Sequence, residues 1–428
     1  MRKEIELIRE QTREGRISWD TAKEALDGLL RQLTPVKRVL LVPPDLTRCY
    51  SWGGKITDYL YHALQARSGS TSQVMIMPAV GTHCLMTRKQ QVRFFGEDIP
   101  ADAFLCHDWR NGLTMVGTVP EDFVRQVTGG RWNHSIKAEV NSRLTDGSFD
   151  LVISIGQVVP HEVVGMANYT KNILVGLGGR EMINESHMAG AVCNLETIMG
   201  NIDTPVRKIF DYAEEKFLKD IPLVYILTVT TEEQGEAALH GIFCGSERET
   251  FTEAAKLAQY WNVTQVPRKT QKVVAYLEPE EFTSMWVGNK AVFRTRMMIE
   301  DGGELLILAP GLKAFGENEE VDRLIRRYGY RGTEKIMELV EEGAFQGAAM
   351  VSAHLIHGSS EGRFSITYAV DPRLMSREEI ENVGYQYMEL GTALERYPID
   401  RLENGFQIMP DGEEVYVVKA PAVGLWRG

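Results

Sequence analysis

Three apolar runs each end in residues able to work on an anion. Arg38–Asp45 (RVLLVPPD) leads into Thr47 and Arg48, Gln73–His83 (QVMIMPAVGTH) ends in Gly81-Thr82-His83, and Asp150–His161 (DLVISIGQVVPH) ends in Pro160-His161. A histidine takes or gives a proton near neutral pH. An arginine grips a carboxylate through two hydrogen bonds. An aspartate fixes a histidine tautomer or orients the arginine. Singly, Asp45 and Thr47 would only cap the following turn, and a lone loop histidine is more often solvated than catalytic. The repetition at three run ends points to a site built from Asp45, Arg48, His83 and His161.

The stretch from His161 continues through Gly165, Asn168, Tyr169, Lys171, Gly176, Gly178 and Gly179 to Glu185-Ser186-His187. Lys171 follows His161 by ten positions, and His187 follows Lys171 by sixteen. The glycines let backbone approach a phosphate or a flat cofactor. A lysine in such a loop either pairs with phosphate or is a covalent attachment point. No GxGxxG follows a strand, and neither GxxxxGK[ST] nor HExxH occurs, so dinucleotide, P-loop and zincin readings lose their main support. His354 and His357 form a lone HxxH, read as a surface or core-edge pair more readily than as metal ligands.

The elements that must hold these residues follow from the texture of the chain. Near-continuous apolar runs alternate with helical stretches such as Thr57–Arg67 and Glu121–Val127, which implies mostly parallel sheets covered on both faces. In such sheets ligands bind beyond the carboxyl ends of the strands. The first 33 residues read as helices, with Ala22, Ala25, Leu26, Leu29, Leu30 and Leu33 at helical spacing after a Ser18 cap, and with no chemistry of their own. A linker is expected at Thr264–Gln271. Beyond it a second series begins, with strands at Lys272–Leu277, Glu304–Ala309, Phe364–Val370 and Glu414–Ala420, and helices at Glu281–Ile299, Gly332–Glu342 and Arg377–Glu395. The expected fold class is therefore α/β: two α/β domains with mostly parallel sheets and an interdomain active-site cleft, residues 1–268 carrying the histidines and 269–428 closing over substrate.

At 428 residues, 43% hydrophobic and 25% charged, the chain can bury large cores. Its net charge of -12 makes nucleic acid and anionic membrane poor partners, though not a small anionic substrate. Five cysteines without a CxxC pair fit a reducing compartment, and the charged N-terminus has no apolar signal region, so a cytoplasmic location is expected. Oligomeric state is not legible.

The joint pattern, PDxTR, then GTH, then HxxxGxxxxxK, then a histidine sixteen further on, resembles the lactate racemase family across nearly all of the N-terminal domain. The resemblance implies a nickel ion, Ni(II), held by a nickel-pincer nucleotide, a pyridinium-3,5-bisthiocarboxylic acid mononucleotide made by separate cofactor-maturation enzymes. Lys171 matches the lysine that links to the cofactor and His187 the nickel ligand. Sulfur donors with imidazole in a planar arrangement suit Ni(II). Thr47, Gly165, Asn168, Tyr169 and Gly176 fall in the implied cofactor-binding segments. His83 and His161 match paired acid/base histidines. Asp45, Arg48, and Lys290 with Trp286 from the second domain match substrate-binding positions. The implied activity is racemase or epimerase: inversion of C2 of a small-molecule 2-hydroxy acid by reversible hydride transfer to the cofactor.

Departures bear on the substrate. The family's Gly-Gly before the lysine is Asn168-Tyr169 here, the Pro-Gly after it is Val175-Gly176, and Trp286 and Val287 stand where a lactate enzyme would place tyrosine and glutamine. The pocket is expected to suit an acid other than lactate, such as a sugar acid or a larger hydroxy acid. Two other readings compete: a zinc-dependent hydrolase or lyase using His83, His161 and His187, and a non-enzymatic carboxylate-binding protein.

Overall fold

The computed structural model describes residues 4–428 apart from 35, 69–72, 234 and 423. The chain forms two compact units, Met1–Ala189 with Ile198–Asn262, and Gly190–Thr197 with Val263–Gly428. Sequence reading places the boundary at 268/269; the units part at 262/263.

The N-terminal unit is built on six strands: β1 (Ile8–Gln11), β2 (Arg38–Val42), β3 (Gln73–Ile76), β4 (Leu151–Gln157), β5 (Leu223–Glu233) and β6 (Glu236–Gly245). Their order across the sheet is β1-β6-β5-β4-β2-β3. The pairs β5/β4, β4/β2 and β2/β3 are parallel, and β1/β6 and β6/β5 antiparallel. Leu151–Gly156 of β4 is buried throughout, as expected of a central strand covered on both faces. The helix Trp19–Gln32 is capped by Ser18, which accepts from the Thr21 amide, and buries Ala22, Ala25, Leu26, Leu29 and Leu30. The segment before it corrects the all-helical reading of the first 33 residues. Ile8–Gln11 lies antiparallel on β6, with Ile8 opposite Cys244 and Gln11 opposite Gly241. The residues IREQ carry no strand signal of their own. The unpaired backbone edge of β6 supplies the partner that makes them one.

The C-terminal unit has its own six-stranded sheet: β7 (Thr270–Tyr276), β8 (Ile299–Ala309), β9 (Ser365–Val370), β10 (Gln386–Glu389), β11 (Gly405–Ile408) and β12 (Glu414–Val418). The order is β10-β9-β8-β7-β12-β11, parallel except for β11/β12. Three expectations change here. The single helix expected over 377–395 is two, Arg377–Asn382 and Leu390–Arg396, separated by β10. Gly384 breaks it at φ 96°, a left-handed backbone that glycine adopts without strain. The helix expected over 281–299 is two short helices, Met285–Gly288 and Lys290–Thr295, and a 3-10 turn, with β8 already beginning at Ile299. Buried Asn289 sits at the first break, tied by its side chain to Tyr368 and Tyr385. The expected linker is not a free tether: Thr264–Gln265 pairs in parallel with Trp426–Arg427.

Candidate functional site

The three runs singled out by their polar ends are neighbouring parallel strands, β4, β2 and β3, with Val39 opposite both Leu151 and Val74. The loops that leave their carboxyl ends therefore emerge side by side. Asp45 caps a 3-10 turn (Leu46–Ser51) by accepting from the Thr47 amide at 3.0 Å, and the Thr47 hydroxyl bonds the same oxygen. Its second oxygen lies 3.4 Å from Nδ1 of His83. The capping role is thus real, and it leaves one carboxylate oxygen to orient a histidine. Burial works against the Asp45 charge, but hydrogen bonds from His83 and Thr47 hold its carboxyl below the usual range. His83 and Arg48 are exposed, at the open side of the site.

His161, by contrast, is 8% exposed. Its Nδ1 accepts from the backbone N–H of Val163 at 3.1 Å, and Glu162 reaches within 3.7 Å of the same nitrogen. Burial drives its imidazole well below its ordinary range; Glu162 opposes that shift, and Lys171, Arg48 and His187 reinforce it. Lys171 is pushed down to about 8, chiefly by burial and then by Arg48. His187 is pulled down to about 4 by burial and by Lys171. The shared causes place Asp45, Arg48, His161, Glu162, Lys171 and His187 in one electrostatic cluster. Both imidazoles are thereby disfavoured as cations, whereas the lysine, at about 8, keeps its proton more easily than it loses it at neutral pH.

The segment around Lys171 is held by strain and by clamps. Asn168 and Tyr169 have φ of 66° and 58°, and Tyr169 has ψ of -133°, a backbone region used almost only by glycine. Such a residue costs about 1–3 kcal/mol and persists only where its surroundings over-determine it. Here Tyr169 packs on Tyr225 at 4.4 Å and stacks on Phe251 at 5.3 Å. Arg207, fully buried on the helix Pro205–Phe217, donates to Thr170 Oγ1 at 2.6 Å and to the carbonyls of Met166 and Asn168 at 2.7 and 3.1 Å. Asn172 ties the next turn to Val42 O and Ser154 Oγ at 3.2 and 2.9 Å, which fastens it to β2 and β4. Arg207, Asn172 and Glu162 are absent from the sequence-derived set. Only the adjacency of Glu162 to His161 was a usable signal.

Two of the glycines are required by packing within the protein itself. A Cβ at Gly165 would meet Asn201 O at 2.2 Å, and one at Gly176 would meet Asn172 O at 2.4 Å. At both positions the missing side chain makes room for backbone of the protein. His187 lies in the helix Arg180–Val192, where Nδ1 donates to Ile183 O at 2.6 Å. Its lone pair is therefore on Nε2, the arrangement of a ligating histidine fixed by a backbone carbonyl.

In the C-terminal unit Lys290 opens its helix, half-buried, and Trp286 stacks on His354 at 4.2 Å. His354 and His357 are both buried in the helix Ala349–Gly358, where His354 Nε2 meets Tyr330 Oη at 3.0 Å. A cavity of about 680 Å³ in this unit is lined by residues including Tyr330, Arg331, Thr333, Glu361, Tyr385 and Gln386, and by no residue singled out from the sequence.

The N-terminal unit is thus an α/β unit on a mostly parallel sheet in which a histidine–carboxylate pair at the ends of β2 and β3 shares one electrostatic cluster with His161, Lys171 and His187. Residues 20–199 match the family model of the lactate racemase N-terminal domain, a similarity over less than half of the chain. Lactate racemase of Thermoanaerobacterium thermosaccharolyticum is 26% identical over 200 residues, which span 46% of this chain and 42% of the relative. Among solved structures, a Thermotoga maritima protein superposes with a TM-score of 0.77 at 23% identity, over 97% of this chain and 99% of that one. The lactate racemase apoprotein from T. thermosaccharolyticum superposes with a TM-score of 0.70 at 17% identity, over 92% and 87%. At those identities the superpositions speak for the fold.

Proposed function

We propose that the chain is a racemase or epimerase that inverts C2 of a 2-hydroxy acid, with Lys171 and His187 holding a nickel-pincer nucleotide. The observation that carries this reading is the pairing of a half-buried Lys171, whose amine is pushed down to about 8 and so loses its proton more readily than an ordinary lysine, with a His187 whose Nε2 lone pair is unused by its Ile183 bond. A neutral amine is the form that can be joined to a carboxyl-derived group. A single outward imidazole lone pair suits a metal whose other ligands come from a bound nucleotide. When bound, that group would supply a reversible acceptor for the hydride of the substrate carbon.

The chain's own residues do the rest. Arg48 pairs with the substrate carboxylate through charge-assisted hydrogen bonds. His83, backed by Asp45, and His161 handle the hydroxyl proton, one on each face of a planar keto acid. Lys290 and Trp286 are proposed substrate contacts, and Trp286 in place of the expected tyrosine argues for an acid other than lactate. Five cysteines without a CxxC pair fit a reducing, cytoplasmic setting. The zinc reading is less well supported, because among the described residues no group of three or more His, Cys, Asp or Glu could hold a metal alone.

The test is intact mass and metal content of protein from a host that makes the cofactor. An adduct mapped to Lys171 with equimolar nickel is expected. Unmodified Lys171 without nickel overturns the reading. Lys290→Ala is expected to retain the adduct and lose turnover on whichever 2-hydroxy acid the protein accepts; unchanged turnover would remove Lys290 from the site.

A further inference from the structure

We propose that His83 and His161 wait in opposite tautomers, His83 as a base at Nε2 and His161 as a hydrogen-bond donor at Nε2, so that the resting site receives one hand of its hydroxy acid first. The inference deepens the function proposed above and rests on it for its stereochemical part only.

The argument uses groups that have a single role. A backbone N–H can only donate, and that of Val163 points at His161 Nδ1 from 3.1 Å. Nδ1 therefore holds a lone pair, and the neutral ring carries its proton on Nε2. Glu162 would favour a proton on Nδ1, but at 3.7 Å it lies beyond hydrogen-bonding distance. Lys171, Arg48 and burial all oppose charging the ring. At His83 the logic inverts. An ionised carboxylate only accepts, and Asp45 Oδ2 faces His83 Nδ1 at 3.4 Å. That proton is on Nδ1, and Nε2 is free to take another.

The two histidines are then unequal. A hydroxyl presented to His83 loses its proton to Nε2, and the imidazolium formed lies beside the Asp45 carboxylate. An oxygen presented to His161 receives a hydrogen bond from Nε2–H. For His161 to act as the base, its proton must first leave Nε2 and the Val163 contact must break. The hand of substrate whose hydroxyl faces His83 meets no such step. His83 is also exposed enough to exchange its proton with solvent, whereas His161 is enclosed.

The test reads the protons directly. Long-range nitrogen–proton correlation spectra of ¹⁵N-histidine-labelled full-length apoprotein, assigned with H83Q and H161Q, report which ring nitrogen carries hydrogen. The expected result is a protonated Nδ1 and bare Nε2 at His83, and the reverse at His161. A bare Nε2 at His161, or the same tautomer at both, overturns the proposal. This readout needs no cofactor, so it stands or falls separately from the mass and nickel test. In active holoenzyme, H161Q is expected to cost less than H161A, since the amide keeps a donor, while H83Q and H83A are equally damaging. Equal losses at 161 would also overturn it.

Discussion

The polar interiors of the two units obey different rules. In the C-terminal unit, Asn289 is fully buried, its amide donates to Tyr385 Oη at 3.0 Å, and its carbonyl accepts from Tyr368 Oη at 2.8 Å. Tyr385 in turn donates to Gly358 O at 2.9 Å. The buried Arg296 of that unit has a carboxylate, Glu196, at 3.1 Å and the carbonyls of His357 and Ser359. The Asn289 amide has partners on both of its ends and the Arg296 charge is paired, as a structural core requires. In the N-terminal unit, Lys171, His161 and His187 are gathered with Arg48 as neighbouring positive charge, and two strained residues precede the lysine. That unit tolerates a desolvated amine and two imidazoles forced neutral. The contrast separates a network of mutually satisfied partners from a cluster of like-signed and desolvated groups, the kind of arrangement in which perturbed side chains gather.

The largest effect expected from breaking this contrast is at Lys171. Lys171→Met removes the proposed attachment point, so no adduct and no turnover are expected, while the fold becomes more stable. The sign follows from the lowered pKa. The folded state resists protonating Lys171 above about 8, whereas the unfolded chain holds its proton to about 10.5. The penalty is present in full below pH 8 and fades as pH rises through that window. Thermal melts of the variant should exceed the parent's at pH 7 by about 1–3 kcal/mol of stability, with the gap closing towards pH 10.5. A variant less stable at pH 7 would show Lys171 to be structural.

Arg207→Met should destabilise by about 3 kcal/mol, because it leaves two buried carbonyls without donors. It should also slow adduct formation at Lys171, which a purely structural loss elsewhere would not do. Asn289→Ala is expected to cost about 2 kcal/mol by leaving two tyrosine hydroxyls short of partners, with the Lys171 adduct retained. Denaturant titration and intact mass check both.

The last expected effect is confined to acid pH. His187 is pulled to about 4 in the folded state against an ordinary value of 6.5. The unfolded chain therefore takes up a proton first, and stability is lost as pH falls through that interval, by about 2 kcal/mol. His187→Gln should flatten that slope. An unchanged slope would show that the imidazole is less enclosed than its surroundings suggest.

Much of this was legible along the chain. The apolar runs that became β2, β3 and β4 end at Pro-Pro-Asp, Pro-Ala-Val-Gly and Val-Val-Pro, where proline and glycine end strand pairing, so the polar residues at their carboxyl ends were readable from composition alone. The Asp45 cap is local for the same reason, since its acceptor bonds an amide two residues away. What the sequence could not show depends on groups far along the chain. Ile8–Gln11 is a strand only because Gly241–Cys244 offers an unpaired edge. The stretch 377–395 is split because Gln386–Glu389 has β9 to pair with. Tertiary packing also decided the proton states. Burial shifts Lys171, His161 and His187, and Arg207, far down the chain, holds the strained turn that presents the lysine. Residue type names the chemistry available, but desolvation and hydrogen-bond direction, which exist only after folding, determine which nitrogen holds the proton.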